Sequence, residues 1–262
     1  MGTVTKALSL LSFFSRERQE IGLTEMTRLT GMNKATVFRM LSELAENGFV
    51  EQVGSVRAYR LGPVFLRLAS LREAAVPTRE VAQNVLNRLS EATGETAHMS
   101  TLQGDQLCTL TYSYSVHHGT RVTMEDAEVI NFHSTSSGLA VLAYSDPKFT
   151  DQILSKPLEQ RTPMSETDPR VIREQLTQVR QTGIAENVSG FEKDVHSHAC
   201  PIFDAQQNCY GAIAVAAPVA RMDKVLRDLI RQEVPRAALE MTRLLGGFVP
   251  AEIKRKFEKT PR

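Results

Sequence analysis

The chain is poor in cysteine, and its three cysteines, Cys108, Cys200 and Cys209, form no CxxC pair. An odd, scattered set excludes a disulfide scaffold and fits free thiols in a reducing cytoplasm. No run approaches the roughly 18 consecutive apolar residues of a membrane span, and no basic segment with an apolar core opens the chain. Neither spanning nor secretion is therefore expected, no membrane partner is foreseen, and cytoplasmic residence is the expectation. Charge of one sign is also missing: 31 Lys and Arg against 30 Asp and Glu leave a formal charge of +1. No global basic field announces nucleic acid, so any DNA-binding charge must be concentrated locally. Catalytic signatures are absent too, with no GxSxG elbow, HExxH pair or GxxxxGK phosphate loop. His117-His118, and His133 beside Ser134, could be imagined as base and nucleophile, but His133-Ser134 reads better as a structural pair. Neither an enzyme nor a cofactor is expected.

What is present begins with length. A chain of 262 residues exceeds the usual single domain, leaving one large core or two unequal domains open. Val4, Ala7, Leu8, Leu10, Leu11 and Phe14 recur at helical spacing after Thr3, a candidate cap, predicting a first helix from residue 4 to about 15. A charged turn at residues 15–20 ends it. Thr24 is the candidate cap of a short second helix carrying Met26 and Leu29, and Gly31 supplies the sharp turn that follows. Asn33 can cap a third helix whose buried stripe is Val37, Met40, Leu41 and Leu44, with Lys34, Thr36 and Arg39 expected outward together. Residues 23–42 thus read as a helix-turn-helix. In that motif the opening turns of the second helix enter the major groove, where Arg bonds guanine and Lys or hydroxyls hold phosphates. Arg28, Lys34 and Arg39 make a local positive patch with no acidic residue between positions 26 and 41.

Gly48 closes the third helix, and residues 49–53 and 57–61 can pair as strands around Gly54-Ser55, a wing over about 49–61. Tyr59 and Leu61 are expected to face the core, Arg60 to point out, and Arg57 to sit near the tip, where a wing meets the DNA backbone. Residues 63–75 read as a helical linker ending at a break at Val76-Pro77. Helical spacing resumes over 78–93 until Gly94. The pattern then becomes β-like, with strands over 98–102 and 106–114 around Gly104-Asp105. Helices are predicted near 136–144 and over 169–182, paired strands over 196–203 and 209–217, and a long helix over 221–245. The fold class is α+β, an antiparallel sheet flanked by helices, with a charged, mobile tail over 248–262.

Three ordered blocks then carry a family resemblance: TEMTRLTGMNKATVFRMLSELAENGFVE, HSTSSGLAVLAY and GIAENVSGFEKDVHSHACPIFDAQQNCYGAIAVAAP. Over roughly residues 3 to 246 the chain resembles the isocitrate lyase regulator (IclR) family of bacterial transcription factors. The resemblance implies a winged helix-turn-helix domain over 1–62, a helical linker over 63–76, and a GAF-like effector-binding and oligomerisation domain over 77–247. It implies double-stranded operator DNA and a small-molecule effector as partners, and a homodimer that assembles as a dimer of dimers. Effector binding would bias the arrangement of dimers or their assembly into tetramers. The DNA-binding residues read from the helix-turn-helix and wing are Arg28, Asn33, Lys34, Thr36, Arg39, Arg57 and Arg60. Carried over by position, its effector pocket would be lined by Ser136, Ser137, Asn187, Ser197, Ala214 and Ala216, with Val122 and Ile130 as apolar wall.

Strand parity supports part of that assignment independently. Val195, Ser197 and Ala199 share one face of their strand, as Ala212, Ala214 and Ala216 share one face of theirs, so small side chains from both could border one cavity; the alternative is small residues that merely permit close helix packing. The chain departs from the family at Ser189-Gly190, where an acidic pair is common, at Leu139, where Lys is usual, and at Ala214 and Ala216, where serines are common. No Arg lies at the matched positions to clamp a carboxylate bidentately, so a short, weakly charged acid or semialdehyde is expected. A repressor of a catabolic operon released by that metabolite is the reading, with an effector-dependent activator, or a winged-helix protein-interaction module, as alternatives. His196, His198 and Cys200 alternate on one strand and could offer zinc ligands, with His98, His117 or Cys209 as a fourth. Satisfied polar side chains on an outer sheet face are the preferred reading, and no metal is expected.

Overall fold

The computed structural model describes residues 2–14, 18–75 and 78–258, giving only the backbone of 69, 73 and 75. The expected charged turn at 15–20 lies partly outside the described residues, and the break at Val76-Pro77 and the last four residues of the tail lie wholly outside them. The chain divides into two units, Met1–Pro77 and Thr78–Arg262.

In the first unit, helices α1 (Thr3–Leu11), α2 (Leu23–Thr30) and α3 (Lys34–Glu46) precede a hairpin of β1 (Val50–Val53) and β2 (Ala58–Leu61), followed by α4 (Val64–Ala75). The α3 stripe of Val37, Met40, Leu41 and Leu44 is buried as its spacing requires, against Leu10, Ile21, Met26, Val50 and Tyr59. Gly31 takes the left-handed conformation, φ 66°, that ends α2, and Asn33 Oδ1 accepts from the Ala35 N–H at 2.8 Å to start α3. The other two expected caps are corrected. Thr3 is already helical, α2 begins at Leu23, one residue before Thr24, and Gly2 and Gly22 occupy the cap positions without a side-chain bond. Helix α1 also stops at Leu11, short of residue 15. Leu61 is 45% exposed instead of facing the core. The strand leaves the core after Tyr59, whose backbone pairs with Ile21. Beyond Leu61 the chain passes so close to Gly48 that a Cβ at Gly62 would lie 2.2 Å from the Gly48 carbonyl oxygen.

The second unit is a six-stranded antiparallel sheet, ordered β5-β4-β3-β8-β7-β6. Its strands are β3 (Thr96–Gln103), β4 (Gln106–Ser113), β5 (Val129–Ile130), β6 (Ala185–Val188), β7 (Val195–Phe203) and β8 (Cys209–Pro218). Helices α5 (Thr78–Thr93) and α9 (Lys224–Leu244) pack on each other and on one face. The other face carries α6 (Ser136–Tyr144), which α8 (Pro169–Thr182) packs against, while α7 (Pro147–Leu154) follows α6 in the chain. Helix α6 is buried on every side from Ser136 to Ala143, which is why its sequence, SSGLAVLAY, has no polar face. Helix α8 begins with a side-chain cap, Asp168 Oδ1 accepting from the Arg170 N–H, with Pro169 in the first turn.

The expected mobile tail is a correction. Residues Ala251–Glu258 form a further helix, α10, that buries Ile253 and Phe257 in the main core. Its lysines and arginines give the segment a tail-like composition, but an apolar pair four residues apart is enough to dock two turns. The Phe257 ring covers Gly183, where α8 ends at φ 85°. Phe257→Ala is expected to lower the unfolding free energy by about 3 kcal/mol, as for other buried phenylalanines. Urea denaturation followed by circular dichroism checks this, and an unchanged midpoint would show that α10 adds nothing to the core.

Candidate functional site

Two groups of side chains answer the sequence expectations, one in each unit. In the first unit, Arg28, Lys34 and Arg39 are exposed and Thr36 is half-buried. Among the described residues none of the three cations lies within ion-pair distance of a carboxylate; the pairs in this unit are Arg18–Glu25 and Arg60–Glu51. At about 100° per residue, Lys34 and Thr36 stand about 160° apart on the helix, so they flank the outward face and do not point together. The middle of that face is Ala35, Phe38, Arg39 and Ser42, and Phe38, which sequence reasoning passed over, is 49% exposed. Its signal was available: a large apolar residue off the buried stripe. Asn33 keeps its amide group at the start of α3, its oxygen already used by the cap. In the wing, Arg57 adopts φ 52° at the tip, and its guanidinium donates to Gln52 Oε1 at 3.0 and 3.2 Å. Arg60 is paired across the ladder with Glu51 at 2.6 Å.

In the second unit a cavity of about 740 Å³, counting its open mouth, lies between the sheet and the start of α6. Val122, Ile130, Ser136, Ser137, Asn187, Ser197 and Ala216 all line it. Ala214 does not. It is fully buried between His98 and Ala199 in the ladder, one step farther along β8 beneath α6. The cavity adds residues that the sequence reading missed: His98 from β3, Thr123, Met124, Glu125 and Glu128 from the loop before β5, Ser134 and Thr135 before α6, and Phe191 and Glu192; Val195, expected on the strand face of Ser197, lines it as well. His98 was readable in principle, because it shares strand parity with the alanines of β8. The loop residues carry no periodicity that could have announced them.

The polar chemistry of the cavity is distinctive. Thr135 Oγ1 caps α6 by accepting from the Gly138 N–H at 2.9 Å, while the first-turn N–H groups of Ser136 and Ser137 have no acceptor within the helix. Ser137 Oγ lies 3.3 Å from His98 Nε2. His98 Nδ1 and Ser134 Oγ are buried without any hydrogen-bond partner. Burial lowers the His98 pKa to about 4, so its imidazole is neutral near pH 7. Three carboxylates, Glu125, Glu128 and Glu192, stand in the lining with no Lys or Arg among them. Burial raises the Glu128 pKa, and its acidic neighbours add to that, while Arg161, which lies over the Phe191 ring at 3.8 Å, pulls it back.

The other candidates separate. His133 Nε2 faces the Glu159 carbonyl at 2.9 Å, not Ser134, so no base and nucleophile meet there. Cys200 donates its thiol to the Gly183 carbonyl, and Cys209 donates its own to Gly211. Neither joins His196 and His198, so the alternative His-His-Cys set is not assembled.

A sheet whose small-residue face encloses a polar cavity, in a chain whose other unit is a winged helix, is the arrangement of one known group of regulators. The profile for the C-terminal region of bacterial transcriptional regulator IclR matches residues 73–243, and that for the IclR helix-turn-helix domain matches residues 3–54. The chain belongs to the IclR family. It is 26% identical to the transcriptional repressor IclR of Escherichia coli, over 94% of this chain and 90% of that one. A crystal structure of an IclR-type regulator from Silicibacter sp. TM1040 is 55% identical, covers 96% of this chain and 99% of that one, and superposes with a TM-score of 0.88. An IclR homologue from Microbacterium hydrocarbonoxydans, solved with 4-hydroxybenzoate, is 23% identical over 93% of this chain and 99% of that one, TM-score 0.57, a likeness of fold. This IclR-family chain is a regulator of transcription, not an enzyme. Among its described residues no helix is long and apolar enough to cross a membrane.

The lowered pKa of His98 sets a pH dependence. The unfolded chain binds a proton near pH 6.5 that the folded chain resists until about pH 4, so the His98 contribution destabilises the fold progressively as pH falls through that window. His98→Gln should therefore flatten the fall in thermal midpoint between pH 7 and 4.5 relative to wild type. Parallel slopes in the two proteins would show that His98 is not held neutral.

Proposed function

We propose that this regulator is a repressor of a catabolic operon whose grip on its operator is relieved by a small metabolite bound in the cavity beside α6. The observation that carries this reading is the pair of orphaned polar atoms, His98 Nδ1 and Ser134 Oγ. Leaving a buried polar atom without a partner costs about 1–3 kcal/mol, and a cavity ligand that supplies the missing hydrogen bonds recovers it. A short carboxylate or semialdehyde fits best. Its oxygens would accept from Ser134 Oγ and from His98 in its Nδ1–H tautomer, and would take the free N–H groups of Ser136 and Ser137 and the side chains of Asn187 and Ser197, at the positive end of the α6 dipole. Glu125, Glu128 and Glu192 would repel a second negative charge, so a monoanion or a neutral aldehyde is favoured over a dicarboxylate.

At the DNA end, Arg39 and Phe38 on the outward face of α3 would read base edges, Phe38 through thymine methyl groups, with Thr36 at the flank. Lys34, Arg28 and Arg57 would hold phosphates, Asn33 would contribute its amide N–H, and Arg60 would contribute least because Glu51 already neutralises it. One winged helix spans few base pairs, so specificity calls for a homodimer on paired half-sites, and a dimer of dimers for longer operators. The exposed Leu66, Leu68 and Leu71 of α4 support a self-associating surface. Release requires the metabolite to prefer the form that binds operator weakly, and preference for the other form would make the same protein an activator. Acting on chromosomal DNA, it would reside in the cytoplasm.

Fluorescence anisotropy with the DNA upstream of its own gene tests both ends. Arg39→Ala should weaken specific binding by about 1–3 kcal/mol, and Lys34→Ala should weaken it across sequences and reduce the salt slope by about 1. Binding that both substitutions leave untouched would favour a protein-interaction module. Calorimetry with small carboxylates and semialdehydes should give heats that Ser197→Val and Asn187→Leu abolish. Uptake of bulky aromatics alone would refute the proposed ligand class.

A further inference from the structure

On β7, His196 and His198 alternate and so share the sheet face opposite Ser197 and the cavity. Strand β6 pairs antiparallel with β7 and sets Glu186 directly opposite His198. Directly opposed residues project to the same face, so one carboxylate meets two imidazoles. The two rings lie nearly parallel, 21° apart, with centroids at 5.0 Å. Glu186 Oε1 lies 2.7 Å from His196 Nε2 and 3.4 Å from His198 Nε2, and the three ligand atoms all fall within 4.8 Å of one another. From α9, Arg231 reaches the other carboxylate oxygen at 3.1 Å.

We propose that Glu186, His196 and His198 form a binding site for a divalent transition metal of the zinc class. A tetrahedral zinc with ligands at about 2.0–2.2 Å sets its ligand atoms about 3.3–3.6 Å apart. The His198–Glu186 separation already has that value, the His196–Glu186 contact has to lengthen by less than about an ångström, and the two imidazole nitrogens, within 4.8 Å of each other, have to close by up to about 1.5 Å. Two imidazole nitrogens and one carboxylate oxygen are a set that zinc, copper and nickel take well, with a fourth position left for water.

Burial supplies the independent pointer. The His198 side chain is 0% exposed, its Nδ1 has no hydrogen-bond partner, and its Nε2 has only the long 3.4 Å approach to Glu186 Oε1. A buried imidazole aimed at a carboxylate and left unpartnered is poorly explained by an ion-pair network, which would satisfy it. A metal ion would. The Glu186 side chain, 32% exposed, leaves the fourth position open to solvent, and Arg231 fixes the orientation of the carboxylate as outer-shell partners of ligands do. The ion would clamp β6 to β7 directly behind Asn187 and Ser197.

The test uses the full-length protein stripped with a chelator and then titrated with zinc chloride in a calorimeter, and with cobalt(II) in a spectrophotometer. The expected result is one ion per chain, visible d–d bands of a four-coordinate cobalt site, and a raised thermal midpoint. Glu186→Gln, which keeps the size of the side chain but turns one acceptor oxygen into an NH2 donor and removes the charge, should lower the affinity at least about 10-fold, whereas His117→Asn should leave it unchanged. Absence of stoichiometric binding to the wild-type chain would overturn the proposal whether or not a variant folds well. So would equal affinity in Glu186→Gln, or a cobalt spectrum of purely octahedral character.

Discussion

The second unit depends on one close approach of backbone to backbone. At Gly138 a Cβ would lie 2.3 Å from both the Cα and the carbonyl oxygen of Phe132, so the first turn of α6 can press onto the preceding segment only because the residue there is glycine. That contact, with Thr135 capping the same turn, aims residues 134–137 at the sheet. A side chain at 138 would push the helix start away and pull the two serines off the cavity wall. Helix α6 itself has no polar face, so it has no second place to settle, and its burial on all sides fixes the depth at which its N-terminus stops.

Strand parity then distributes function over the two faces of the sheet. Ser197 and Ala216 are register partners on the cavity side, and His98 joins them through its pairing with Ala214. One residue on either side of Ser197, the imidazoles turn the other way, toward Glu186 and Arg231. A shift of one residue in the β6–β7 register would separate Glu186 from the histidines and turn Asn187 away from the cavity at the same time. The cavity and the His-Glu cluster are therefore consequences of one alignment, although neither touches the other's residues.

The same physics explains what the sequence disclosed. Elements with strong caps or a clean period were legible: α3 from Asn33 and its four-residue stripe, α8, whose ends at Pro169 and Thr182 are those predicted, and α6, whose ends at Ser136 and Tyr144 are those the pattern predicted. The two-residue β5 was not, because it exists only through its pairing with Leu107 and Cys108 of β4. Strand β6 was missed for a related reason, since four residues at a sheet edge are too few to show a period. Helix α10 was hidden by its charge, its docking resting on Ile253 and Phe257 alone. For the cavity, residues on regular strands and at a helix start were recoverable from parity and resemblance. Ala214 was included by the same parity and excluded by depth, a quantity that parity does not contain. The loop glutamates came from a segment whose conformation only the folded sheet dictates.

Charge placement in the two units follows a common rule. The chain is almost neutral, so what its charges do depends on which of them are already paired. In the wing, Arg60 faces Glu51 across the ladder, and most of its field is cancelled before any phosphate approaches. Arg28, Lys34 and Arg39 have no such partner among the described residues, and Arg57 is bonded only to the neutral Gln52, so uncompensated positive charge of the first unit lies over α2 and α3 and at the wing tip, not at Arg60. In the cavity the imbalance has the opposite sign: Glu125, Glu128 and Glu192 stand without a cation in the lining, and Arg161 is held over Phe191 at its edge. A ligand that carries one negative charge must therefore place it deep, against the N–H groups of α6, and keep its other end uncharged near the glutamates. Composition alone, at +1, conceals both fields because they cancel in the sum.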